Sequence, residues 1–314
     1  MSRILLTGAD GFVGKAVVEF LSSTGDSVVA VTRRAQAIPG ARVLQVPDIR
    51  TAVWDGVLQG VDCVIHLAAR AHVLRERHPD PLSEFRAVNV RPTIDLFRAS
   101  QAAQVERFIF VSSIGVNGNF TAERAFTETD APRPAEPYAV SKWEAEQSLR
   151  AHRRPDATRL IVVRPSLIYG AYAKGNFLRL MRWIDAGWPL PFGALRAKRT
   201  FLGLTSFCDL LKKCASIPIE GEQLFVAGDD RPVSTSELVG AMAAAMHSRS
   251  RQLRVPVKLL SILARSLNRR AEFDRLSKPL EVDSSRARAS LGWTSTALSA
   301  DLRKMVDVYL QTKE

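Results

Sequence analysis

The stretch Thr7-Gly8-Ala9-Asp10-Gly11-Phe12-Val13-Gly14 decides how this chain is read. It follows a short apolar run, Ile4-Leu5-Leu6. It opens a segment in which Phe12, Val13, Ala16, Val17, Phe20 and Leu21 recur at helical spacing. A strand, a glycine turn and a helix are expected in that order. The GxxGxxG spacing serves three needs. One glycine makes the tight turn, one lets a pyrophosphate approach the backbone, and one lets helix and strand touch. The helix N-terminus then presents free N–H groups and its positive dipole end to phosphate. These residues read as a dinucleotide cradle contacted by Gly8, Asp10, Gly11, Phe12, Val13 and Gly14.

Working outward, apolar strands are expected at 3–7, 27–32, 42–46, 61–67, 107–112 and 159–164. Helices are expected at 12–24, 82–102 and 138–151. Strands that are apolar on both faces and alternate with helices predict an α/β fold, a Rossmann-type doubly wound parallel sheet. After about residue 165 the rhythm changes, and Pro165, Gly170, Gly175, Gly187, Pro189, Pro191 and Gly193 crowd in. Residues 1–165 are therefore assigned to the dinucleotide domain. Residues 166–314 are assigned to a smaller, interleaved substrate-binding domain, with the chain returning to the sheet around 200–226.

Composition narrows the class. In 314 residues, 46% are hydrophobic and 24% charged, which excludes disordered, collagen-like and multispanning chains. No apolar run approaches the roughly 20 residues of a membrane span, and no transmembrane segment is expected. The N-terminus shows no signal-peptide pattern. Cys63, Cys208 and Cys214 match neither a zinc nor a CxxC spacing, so no metal site is expected and a reduced, cytoplasmic compartment is. Forty-four Lys and Arg against 32 Asp and Glu leave a net charge of +12. Basic proteins bind nucleic acid, acidic membranes or small anions. No nucleic-acid motif is present, so that partner is not expected. The basic, leucine-rich segment 249–270 reads as an amphipathic helix packed on its own domain, with a membrane-surface helix as the alternative.

Thr7 to Gly14 resembles the fingerprint of the extended short-chain dehydrogenase/reductase superfamily, and the resemblance continues along nearly the whole chain. Asp48-Ile49 resembles the adenine-contacting pair. His66-Leu67-Ala68-Ala69 resembles the strand-four motif beside the nicotinamide ribose, and Asn89-Val90 the Asn-Val of the next helix. Val111-Ser112-Ser113 resembles the catalytic serine strand, Tyr138-Ala139-Val140-Ser141-Lys142 the YxxxK motif, and the run from Arg164-Pro165 to Tyr169-Gly170 the RPxxxYG segment. The nearest branch is the NAD(P)-dependent nucleotide-sugar epimerase/dehydratase family, especially members that make sugars for surface polysaccharides. By this resemblance Leu67, Ala68, Ala69, Asn89 and Pro165 join the cofactor contacts.

Tyr138 and Lys142 lie four apart and share one helix face. A tyrosine near pKa 10 is a poor base, and a nearby ammonium should lower that value. The resemblance makes Tyr138 the proton carrier, has Lys142 also bind the nicotinamide ribose, and has Ser113 orient the substrate oxygen, with Ser112 the alternative serine. Sugar dehydratases place Asp-Glu after the catalytic hydroxyl residue. Here Ile114-Gly115 stands there, which argues against dehydration. Asn117 either touches the sugar or fills a turn.

The second strand ends Thr32-Arg33-Arg34, where NAD-binding relatives carry an acid. An Arg there binds a 2′-phosphate, so NADP(H) is favoured over NAD(H); alternatively the arginines stack on adenine. Lys174-Gly175-Asn176 resembles the diphosphate-binding segment, and Arg199 and Arg275 resemble its phosphate-binding arginines. Leu167 stands where several epimerases carry Asn. The resemblance implies a UDP-linked hexose handled at C4, by a 4-keto reductase or, alternatively, a 4-epimerase; a non-catalytic dinucleotide sensor is the remote alternative. It also implies a homodimer built on helices 82–102 and 138–151.

Overall fold

The computed structural model describes residues 1–71, 78–154, 158–173, 175–218, 221–249 and 251–312. The expected alternation is present. Strands β1 (Arg3–Thr7), β2 (Ser27–Thr32), β3 (Ala41–Gln45), β4 (Cys63–His66), β5 (Arg107–Val111) and β6 (Arg159–Pro165) join a returning strand, β7 (Gln223–Ala227), in one seven-stranded sheet. All its pairings are parallel, in the order β7-β6-β5-β4-β1-β2-β3.

The period of two divides the core. Ile4 and Leu6 face one layer with Val17, Val18, Leu21 and Phe207. Leu5 faces the other with Leu96, Phe97, Ala145 and Leu149. Helix α1 (Phe12–Ser23) thus covers one face of the sheet. Helices α2 (Pro81–Asn89), α3 (Arg91–Ala102) and α4 (Pro137–His152) lie on the other side. Strand order reverses between β1 and β4, and their carboxyl ends open the crevice where ligands bind such sheets.

The single helix expected over 82–102 is two. Pro92, in the first turn of α3, lacks the N–H that a continuous helix would use, and the chain kinks at Val90. The C-terminal unit has its own core around Tyr169, Phe177, Met181, Val239, Met242, Met305 and Val306. All three cysteines are buried free thiols. Segment 249–270 departs from the expectation of packing. Its helix α5 (Val257–Ser266) has no buried residue and packs chiefly against helix α6 (Arg270–Ser277). Its apolar stripe, Leu259, Ile262, Leu263 and Leu267, is exposed instead of forming a core face.

Candidate active site

The glycine turn has little room for side chains. Gly8 has φ +72°, and a Cβ there would lie 2.9 Å from the Ala68 nitrogen. A Cβ on Gly14 would sit 2.1 Å from the Gly8 oxygen, and one on Gly11 3.2 Å from it. The turn is thus closed on itself, and Gly11 begins α1 with no side-chain cap. Its first N–H groups suit a pyrophosphate, so the cradle fits a dinucleotide. Phe12 and Val13 are half-buried beneath it, and Leu67, Ala68 and Ala69 line the facing β4 loop.

At the far end of the cradle Thr32 is buried, and its hydroxyl donates to the Arg34 carbonyl at 2.8 Å. Arg33 is 80% exposed and lies 3.9 Å from the Asp10 carboxylate. Arg34 is exposed. Asp48 caps the short turn at Ile49 and is gripped by Arg50 through both carboxylate oxygens, which holds its carboxyl below the usual range.

His66 ties the crevice together. Thr93 Oγ1 gives its hydrogen to the Asn89 carbonyl (2.8 Å), so it accepts from His66 Nε2 at 2.8 Å. Nδ1 then accepts from the Thr7 hydroxyl at 2.7 Å, which itself accepts the Ala68 N–H. Burial, helped by the Lys142 charge, pulls His66 down to about 3 and keeps the ring neutral. Asn89 is also structural in placement: its side chain accepts from Arg70 N and donates to Arg70 O and Ser141 Oγ. It pins the loop after β4 rather than lining the crevice.

Ser113 stands in the turn after β5, which packs against α4, the helix that carries Tyr138 and Lys142. Ser113 starts a short turn by accepting from Gly115 N at 3.1 Å. A Cβ on Gly115 would meet the Ala139 side chain at 3.3 Å, so glycine lets this turn lie against α4. Pro137, with its fixed φ, opens α4 one residue before Tyr138. Phe85 meets the Tyr138 ring edge-on at 6.0 Å. Lys142 Nζ donates to the Val111 carbonyl at 2.8 Å and sits 4.5 Å over the Phe110 ring. The expected lowering of the phenol does not occur in this arrangement. Desolvation pushes Tyr138 up to about 12 and Lys142 down to about 7. The ammonium is occupied by a carbonyl and a ring, and the phenol keeps its proton.

Ser112 and Asn117 belong to a different cluster. Glu146 and Arg164 form a buried bidentate pair; Ser112 Oγ donates to Glu146 Oε1 at 2.6 Å, and Arg164 Nη1 donates to Asn117 Oδ1 at 2.9 Å. The Asn117 amide donates to the Thr127 carbonyl. Asn117 is 1% exposed with both ends of its amide engaged, as the turn-filling alternative requires. Of the two serines, Ser113 is the one not held by this pair. Pro165 closes β6 in the same buried region.

On the substrate side, Arg199 is held by the Lys278 carbonyl at 2.8 Å. Burial and the nearby Arg275 charge bring Arg199 down to about 10. Two cations this close form a receptor for an anion. Arg275 also pairs with Glu136, two residues before Tyr138, at 2.5 Å. Glu136 lies just outside the YxxxK motif, and no spacing in the sequence links it to Arg275. Asn176 is exposed and accepts from Arg179 at 2.9 Å; Lys174 of that segment lies outside the described residues. Among the described residues no group of three His, Cys, Asp or Glu stands together for a metal.

Comparison with known proteins completes the picture. A family model described as the NAD dependent epimerase/dehydratase family matches residues 4–212. A UDP-glucose 4-epimerase of Vibrio cholerae is 34% identical over 98% of this chain and 95% of its own. An N-acetyl-α-D-glucosaminyl-diphospho-ditrans,octacis-undecaprenol 4-epimerase of Escherichia coli O157:H7 is 26% identical over 82% of this chain and 76% of its own. The solved structure of MoeE5 in complex with UDP-glucuronic acid and NAD superimposes with a TM-score of 0.80 at 27% identity, covering 99% of this chain and 100% of that one. With a closed glycine cradle at the sheet's reversal point, a Tyr-Lys helix beside it and a family match over two thirds of its length, the chain belongs to the NAD dependent epimerase/dehydratase family of enzymes.

Proposed function

We propose that this enzyme inverts C4 of a hexose carried on uridine diphosphate, as a 4-epimerase. The observation that carries this reading is the near full-length likeness to a UDP-glucose 4-epimerase. The retained Ser113, Tyr138 and Lys142 support it. A bound nicotinamide dinucleotide supplies the acceptor and donor of hydride at C4. The glycine cradle, Leu67 to Ala69 and Lys142 would hold it. Ser113 orients the C4 oxygen by hydrogen bonding. Tyr138 Oη takes the hydroxyl proton as the ketone forms and returns it as the ketone is reduced. Moving the Lys142 ammonium from the Val111 carbonyl toward a ribose hydroxyl and the phenol would bring Tyr138 into its working range. Arg199 and Arg275 would grip the diphosphate, with Asn176 at the edge of the same mouth. The sheet half would serve the dinucleotide and the C-terminal unit the sugar. Ile114, where a dehydratase carries an acid, supports redox at C4 without loss of water.

A second reading, a 4-keto reductase using NADPH, is favoured by Arg33 and Arg34 at the end of β2 with no acid beside them in sequence. Asp10 weighs against it, because a 2′-phosphate at Arg33 would also meet that carboxylate. The test is to denature the purified enzyme and identify the released dinucleotide. Retained NAD(H), with interconversion of UDP-hexose epimers and no added cofactor, is the expected result. An empty site that consumes added NADPH would establish the reductase.

The product would suit surface-polysaccharide synthesis in the cytoplasm. Two-fold pairing through α2, α3 and α4 remains part of the proposal. The single chain already buries Phe85, Leu96 and Phe97, so Val88, Ile94 and Trp143 would form the contact.

A further inference from the structure

Helix α5, packed against α6, turns an apolar ridge to solvent. Leu259, Ile262, Leu263 and Leu267 follow an i, i+3, i+4, i+8 spacing and share one face. Leu259 is 57% exposed, Ile262 66% and Leu267 60%. Leu253, in the segment that leads into the helix, is exposed as well. Monomer surfaces seldom show so many large apolar groups together unless something covers them.

The arm's own charge is of one sign, and the acids beside it on α6 are engaged by cations, Glu272 by Arg269 and Asp274 by Lys278. From 249 to 270 the sequence carries Arg249, Arg251, Arg254, Lys258, Arg265, Arg269 and Arg270, and no Asp or Glu. Lys258 and Arg265, seven apart, flank the apolar face on one side. The arm is anchored at both ends. Leu190 N donates to Arg251 O and Leu253 N to Leu190 O, each at 2.8 Å. Beyond α6, Leu280 N donates to Lys198 O at 3.0 Å and Thr200 N to Leu280 O at 2.8 Å. The ridge is thus held outward by the fold and is no frayed end.

We propose that α5 docks this enzyme on an anionic lipid bilayer, its leucine face in the headgroup–acyl boundary and its arginines and lysine on the lipid phosphates. Such a surface needs apolar area and cations together, and this arm offers both. A second copy of the chain is a poorer occupant. Across a two-fold axis the same surface meets itself, so the seven cations of residues 249–270 would face their own copies. No described helix is long and apolar enough to cross a membrane, so the arm would lie on the bilayer and not in it. Helix α6 carries Arg275, so docking would bring the candidate diphosphate receptor close to the lipid surface. The proposal stands apart from the C4 chemistry, and its test reads partitioning instead of turnover.

The purified full chain is sedimented with vesicles of phosphatidylglycerol and phosphatidylcholine, and with phosphatidylcholine alone. Binding to the anionic vesicles, weakened by salt and absent from the neutral ones, is expected. Leu259→Ser with Leu263→Ser should lower vesicle binding about tenfold or more, with an unchanged unfolding midpoint and unchanged turnover in solution. Arg265→Glu with Arg269→Glu should do the same. No binding to anionic vesicles overturns the proposal. So does binding that both double variants leave intact, which would place it elsewhere on the basic surface. A wild-type oligomer that dissociates in the leucine variant would show a second copy on the ridge, and would overturn it too.

Discussion

Glu146 and Arg164 grip each other inside the protein, 0% and 1% exposed, through two hydrogen bonds of 2.9 and 2.6 Å. The pair joins α4, which carries Tyr138 and Lys142, to β6. It also takes the Ser112 hydroxyl, which separates the two adjacent serines by role. Glu146→Gln should cost about 3–5 kcal/mol of stability, because an amide leaves the Arg164 charge buried without its partner. Denaturant titration of wild type and variant measures it; a change under 1 kcal/mol would contradict the account.

The serines provide a paired comparison. Ser112→Ala removes one buried hydrogen bond and should cost about 1 kcal/mol of stability while turnover stays near wild type. Ser113→Ala loses the turn cap to Gly115 N, a cost of about 1 kcal/mol or less, and should lower kcat sharply. Assaying both on UDP-hexose epimers gives the answer, and equal turnover losses would undo the assignment.

Tyr138→Phe should lower turnover by about 10²–10⁴ while dinucleotide binding stays nearly intact. Phenylalanine keeps the edge contact with Phe85 and lacks only the proton carrier. Cofactor titration followed by a turnover assay separates the two effects. Near wild-type turnover would remove Tyr138 from the chemistry.

Lys142 gives a pH signature. Burial lowers it from an ordinary 10.5 to about 7 in the folded chain. Between those values the unfolded chain binds a proton that the folded chain does not, so this group makes stability rise with pH. Its cost is complete below about pH 7 and fades toward pH 10.5. Lys142→Met removes that cost. Relative to wild type, the variant should be more stable at pH 6.5 than at pH 9.5, by on the order of a few kcal/mol. Urea midpoints at both pH values check this, and a difference that does not change with pH would refute it.

Gly14→Ala should abolish dinucleotide binding, since its methyl would collide with the Gly8 oxygen and Ala9 Cα. Gly25→Ala, where nothing lies within 4 Å but φ is +86°, is the control. It should cost only a modest amount of stability through its left-handed backbone and leave cofactor titration unchanged.

The sequence by itself determined the sheet, the glycine turn and the family. Those signals are local: a period of two in Ile4-Leu5-Leu6, a period of 3.6 after Phe12, and motifs whose members lie within eight residues. It also placed Tyr138 and Lys142 on one face, because four residues make about one helical turn. Only the tertiary structure decided what the isolated polar residues do. Asn117 meets Arg164 across 47 positions, Asn89 meets Ser141 across 52, and His66 bridges Thr7 and Thr93. No spacing rule links such partners, since packing alone brings them together. The same holds for the leucine stripe of α5. Its pattern looks the same whether a core or a bilayer covers it, and only the completed fold shows that it lies outside the core.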